Sequence, residues 1–144
     1  MNKKPSEVIR EKLEACGGEA KCPMLIKGPI TIWLTDEGVN NSGYSDLCCA
    51  WEEFDLIVDE IRKLGGTMYR GDQAAQIGLK LGSVGFPLNT MDAFIAINFY
   101  NKKVGQKTTR RSTYYAAILA WAGICYNYKS MGKGGYVILT TEWR

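Results

Sequence analysis

The segment KTTRRSTYY, residues 107–115, sets Lys107, Arg110 and Arg111 among three threonines immediately before an apolar run that closes at Gly123. Arginine fits guanine edges or phosphates, threonine fits phosphates or a thymine methyl, and the N–H groups opening a helix attract phosphate. Read at helical spacing from Thr109 to Ala122, Tyr115, Ile118, Leu119 and Ala122 share one face. That face is expected to point inward and to leave Arg110, Arg111, Thr113, Tyr114 and Ala117 outward. Further along, Lys129 and Lys133 flank a glycine-rich turn between two apolar runs, where they would hold a nucleic-acid backbone.

The charge distribution agrees with this chemistry. The chain of 144 residues carries a formal net charge of +3. Residues 1–92 hold ten Lys/Arg against fourteen Asp/Glu, which is −4; residues 93–144 hold eight against one, which is +7. Such asymmetry within one chain marks a surface for a polyanion, and a solvated basic face is the alternative.

Other chemistries find little support. Histidine is absent, which removes His-based metal sites, Ser-His and Cys-His dyads and the histidine general base. The five cysteines (Cys16, Cys22, Cys48, Cys49, Cys125) include no C-x-x-C pair, so free thiols are expected and structural zinc is not. Glu19-Ala20-Lys21 has the E-x-K spacing of metal-dependent nucleases, but it precedes the strand expected at 30–35. Asp36-Glu37 follows that strand in a turn, where acidic pairs are usually solvated. The glycines of GKGG, 132–135, lack the upstream strand and following helix of a phosphate loop. The expectation is therefore a protein that is not an enzyme and uses no metal or cofactor.

The elements that would carry these residues read as follows. Pro5 opens a helix over 5–16 that Gly17-Gly18 stop. Ile30, Ile32 and Leu34 alternate in a strand, with 24–27 as its partner or lead-in, and TDEGVNNSGYSD, 35–46, reads as a loop. A long helix with one acidic face runs from Ser45 or Asp46 to Leu64 and ends at Gly65-Gly66. TMYR, 67–70, is a short extended link, and Asp72 caps a weak helix that ends by Gly82. Asn89 or Thr90 caps a deeply buried helix from Met91, Thr108 or Thr109 caps the helix to Ala122, and Ile124–Tyr128 pairs with Tyr136–Thr140 in a hairpin. Tyr126, Tyr128 and Tyr136 read as strand residues, with stacking against a base as a second use.

A helix, a turn at Gly105, a helix opening TTRRST and a hairpin with a glycine-lysine tip resemble the winged helix-turn-helix superfamily over residues 90–140. In a second register, residues 69–82 would form the middle helix and 90–103 the recognition helix. The resemblance implies one mainly helical α+β domain over 1–144, with a small helix-strand extension over 1–44 and a winged-helix-like bundle with a C-terminal hairpin over 45–144. It implies contact with double-stranded DNA through Lys107, Thr109, Arg110, Arg111, Thr113, Tyr114, Lys129 and Lys133, by a monomer or homodimer. The corresponding roles are transcription regulation or the DNA-reading module of a phage or restriction-type system. The alternative is a protein-binding adaptor or inhibitor that uses the Trp33, Tyr44 and Trp51 neighbourhood. The charged N-terminus and the lack of a run of roughly 18 apolar residues point to a cytoplasmic protein without a membrane span.

Overall fold

The computed structural model describes residues 3–130 and 134–144. Helix α1 (Pro5–Ala15) leads into four short strands, β1 (Glu19–Cys22), β2 (Ile30–Leu34), β3 (Gly38–Asn41) and β4 (Cys48–Ala50). Helix α2 (Trp51–Lys63) follows, then β5 (Thr67–Tyr69) and α3 (Asp72–Gln76). Helices α4 (Met91–Phe99) and α5 (Ser112–Trp121), strands β6 (Cys125–Tyr128) and β7 (Tyr136–Leu139), and a 3-10 turn at Thr141–Trp143 complete the chain.

The strands form two antiparallel sheets. The first is a meander in the order β1-β2-β3-β4, and the second has the order β5-β7-β6. This corrects the expectation of a mainly helical, winged-helix-like bundle with its hairpin at the C-terminus. The molecule is α+β, with one sheet before α2 in the chain and one after it, and the β6–β7 hairpin gains a third strand from residues 67–69.

The corrections have local physical causes. The stretch 35–46 contains β3, whose sequence GVNN has low strand propensity and is held by pairing on both sides. Gly38 is needed there because a Cβ would lie 2.1 Å from the Cys49 carbonyl oxygen. The partner of β2 is 19–22, not 24–27, so Glu19 and Lys21 lie on a strand, with the Lys21 ammonium donating to Thr31 Oγ1 at 2.7 Å. Cys48–Ala50 pairs with β3, which delays α2 until Trp51; from there Phe54, Ile57, Val58 and Ile61 bury one side of the helix as expected. Helix α3 stops at Gln76 and not near Gly82, and its N-cap is Gly71 in place of Asp72.

One large apolar cluster joins both ends of the chain. Ile9 and Leu13 of α1, Ile32, Val39, the buried face of α2, and Ile118, Leu119, Val137 and Trp143 belong to it. A smaller cluster gathers Ala74, Ala75, Leu81, Phe86, Ala93 and Ala96 around α3 and α4. Helix α5 lies within the large cluster and is buried on nearly all sides: Tyr114, Tyr115, Ala116, Ala117, Ile118 and Leu119 are each at most 9% exposed. The division of this helix into an inward face and an outward basic face is therefore corrected. Tyr114 and Ala117 are core residues, and Arg110 and Arg111 precede the helix instead of lying along it.

Candidate functional site: an aromatic sheet face beside a donor-lined cleft

The start of α5 is fixed from α4. The Asp92 carboxylate, 1% exposed, accepts the backbone N–H groups of Arg111 (2.8 Å) and Ser112 (2.9 Å) through Oδ1 and the Ser112 hydroxyl (2.6 Å) through Oδ2. Burial raises this carboxyl to about 6, although the three hydrogen bonds pull it the other way. Neither Thr108 nor Thr109 caps the helix; Arg111 occupies the N-cap position and a carboxylate from another helix supplies the cap.

The cations singled out by sequence are distributed differently from the expected groove-facing array. Lys107 and Thr109 are exposed on the 100–111 loop. Arg110, half-buried on the same loop, donates to Gln76 Oε1 at 2.9 Å. Arg111 turns back onto the molecule: its guanidinium lies 3.7 Å from the Tyr100 ring centroid and donates to Thr108 Oγ1 at 3.2 Å. Thr113 is half-buried, with its hydroxyl buried and unpaired. The Tyr114 hydroxyl donates to the Gly43 carbonyl at 3.4 Å, and its ring meets Tyr44 edge-on at 5.9 Å. Lys129 is exposed after β6, and Lys133 lies outside the described residues. These positions do not form one helical face.

The second sheet presents a surface that single-residue reading did not assemble. Its register aligns Tyr69 of β5 with Tyr136 of β7 and Tyr128 of β6 in one row across three strands. The neighbouring row on the same face is Thr67, Ile138 and Tyr126, whereas Met68, Val137 and Asn127 alternate inward. Tyr69, Tyr126 and Tyr128 are 44%, 55% and 40% exposed. Tyr128 stacks on Tyr136 with centroids 5.1 Å apart and planes inclined by 25°, and Tyr69 meets Tyr136 edge-on at 5.9 Å. The sequence contained the signal, alternating tyrosines in the hairpin; what it lacked was the pairing of 67–69 that brings Tyr69 into line.

The inward side of the same strands is polar at one end. Arg70, only 6% exposed, donates from Nη1 to Asn127 Oδ1 and to the Tyr128 carbonyl (2.8 Å), and from Nε to Asp72 Oδ2 at 3.3 Å. The guanidinium occupies the space above Gly135, where a Cβ would come within 1.7 Å of Nη2. Beside it opens a cleft of about 560 Å³ between the 24–30 loop and α5, lined at its polar end by Arg70, Asp72, Gln76, Arg110 and Asn127.

Elsewhere, polar groups are enclosed. The Tyr115 hydroxyl donates to Glu53 Oε1 at 2.7 Å, and burial raises the Glu53 carboxyl above the usual range. All five cysteines are free; burial lifts Cys22 to about 11 and Cys125 to about 12, which leaves little thiolate near neutrality. Among the described residues no cluster of three or more His, Cys, Asp or Glu side chains converges, and no helix is long and apolar enough to cross a membrane. The chain matches no protein-family model, no curated protein and no solved structure.

Proposed function

We propose that the protein binds nucleic acid, and that it does so as a single strand laid over the outer face of the β5-β7-β6 sheet. The observation that carries this reading is the Tyr69–Tyr136–Tyr128 row, with exposed Tyr126 beside it. Unpaired bases offer π-faces that aromatic side chains on a sheet can stack against, and each such contact is worth about 1–3 kcal/mol by alanine substitution. The excess positive charge of residues 93–144 supports the same class of partner, and exposed Lys129 directly follows Tyr128. Duplex contact through α5 is less well supported, because that helix is enclosed by the core and Arg111 is committed to Tyr100.

The test is fluorescence anisotropy at low salt with a labelled single strand, in DNA and RNA forms, and with its duplex. The single strand is expected to bind more tightly than the duplex, and the Tyr126→Ala/Tyr128→Ala double variant to weaken single-strand binding at least tenfold. Preference for duplex, or unchanged binding by the double variant, would overturn the assignment to this face. Absence of any binding would favour a protein-binding adaptor instead. The half-buried Trp33, Tyr44 and Trp51 would be the surface to test, with the Tyr44 ring edge-on to Tyr114 and the Trp51 indole donating to the Asp36 carbonyl beneath Arg10.

A further inference from the structure

We propose that the cleft beneath the 24–30 loop is a second site, which binds a small organic anion: an oxyanion, carboxylate or phosphate, carried on an apolar body. The size is suitable, since about 560 Å³ falls within the roughly 300–1,000 Å³ typical of small-molecule pockets. Met24, Ile26 and Ile30 form one side, and Tyr114 and Ala117 of α5 form another. These walls accept an apolar body.

The polar end selects the charge. Each of its two amides has its oxygen engaged by an arginine: Asn127 Oδ1 accepts from Arg70, and Gln76 Oε1 accepts from Arg110. That orientation turns the donating –NH2 group of each amide to the other side. Asp72 is the acidic residue of the lining, and both of its oxygens already accept, from Arg70 Nε and from the Gln73 backbone N–H. Three cations (Lys27, Arg70 and Arg110) face that one carboxylate around the cleft. Donors are thus in excess over acceptors at this end of the lining. A cation would meet a positive lining, and a ligand without acceptors would leave the amide and guanidinium hydrogens unmatched, so an oxyanion is the complementary group. The unpaired Thr113 hydroxyl lies on the same wall and adds a further polar partner if the site reorganises around a ligand.

The site does not depend on the tyrosine face, because Asn127 points to the opposite side of β6 from Tyr126 and Tyr128. The experiment is a two-dimensional amide NMR titration of the full chain with three probes: sodium octanoate, adenosine 5′-monophosphate and inorganic phosphate. At least one of the organic anions is expected to shift the amides of residues 27, 76, 113 and 127 saturably. Which of them does so distinguishes an aliphatic carboxylate from a nucleotide phosphate. Inorganic phosphate should bind there at least tenfold more weakly, and the Arg110→Met and Gln76→Leu variants should each weaken the organic anion severalfold while keeping the wild-type spectrum elsewhere. The inference fails if neither organic anion shifts these amides, if both variants bind unchanged, or if inorganic phosphate binds as tightly as either organic probe. Adenosine monophosphate shifts confined to residues 69, 126, 128 and 136 would also overturn it, and would leave the tyrosine-face reading standing.

Discussion

Asp92 on α4 holds the first turn of α5 through Ser112, with the Ser112 hydroxyl 2.6 Å and its backbone N–H 2.9 Å from the same carboxylate. The link joins two helices that have little amphipathic character of their own, and it lies at 1% exposure. Its protonation state therefore bears on the stability of the whole core.

A carboxyl raised to about 6 in the fold, against about 3.9 in an unfolded chain, binds its proton more tightly when folded. The associated stability is fully present below about pH 4 and is lost as pH rises through 6. Asn at this position can still accept both backbone N–H groups through its oxygen and donate to the Ser112 hydroxyl. The stability of the wild type relative to Asp92→Asn should accordingly fall by about 2 kcal/mol between pH 4 and pH 7. Urea denaturation of both proteins across that range measures it; parallel pH profiles would contradict the assignment.

Arg111 is expected to act on stability. Its guanidinium lies over Tyr100 and bonds to Thr108, so Arg111→Ala should cost about 1 kcal/mol. Single-strand affinity should fall by less than about threefold, as expected for a side chain outside the interface. A large loss of affinity with an unchanged denaturation midpoint would return this arginine to the nucleic-acid surface.

Gly135 and Arg70 share one space. A methyl group at residue 135 has to displace the guanidinium from Asn127 and the Tyr128 carbonyl, bonds made at 6% exposure. Gly135→Ala is predicted to destabilise by about 1–3 kcal/mol. In the background of Arg70→Met the same substitution should cost markedly less, which a double-mutant cycle reads directly.

Removal of the Tyr115 hydroxyl leaves Glu53 Oε1 with the Ala50 backbone N–H, 2.8 Å away, as its remaining bond. Tyr115→Phe should cost about 1.5–3 kcal/mol at pH values where Glu53 is ionised. The cost should shrink as the pH is lowered and Glu53 is protonated. A pH-independent penalty would mean that the hydroxyl matters only for packing.

The sequence was most legible where a periodic apolar pattern coincided with a boundary residue. Pro5 and Gly17, the apolar repeat of α2, and Thr90 before α4, whose Oγ1 accepts from the Ala93 N–H at 3.4 Å, all give elements close to those expected. It was least legible where a partner strand overrides local preference, as at Gly38–Asn41, or where three residues become a strand by completing a remote hairpin, as at Thr67–Tyr69. The misreading of α5 has a simple origin. Tyr114 and Ala117 look compatible with solvent, yet small and aromatic residues also fill a helix buried on nearly all sides. The candidate site was legible in its parts, as Tyr126, Tyr128, Tyr136 and Lys129, but Tyr69, Arg70 and Asn127 are joined to them only by cross-strand register and a guanidinium that reaches under β7.

The strand at the centre of the second sheet is the one made last. Tyr136–Leu139 pairs on one side with the nearby Cys125–Tyr128 and on the other with Thr67–Tyr69, made some seventy residues earlier. On a ribosome, residues 67–69 have no strand to join until β7 emerges, and Trp143, which is 3% exposed, arrives later still. The first sheet and α1 can form from nearby chain, whereas the tyrosine row comes into being only once β7 has been made. A growing chain would thus carry no such surface, and its appearance reports that the two halves of the molecule have met.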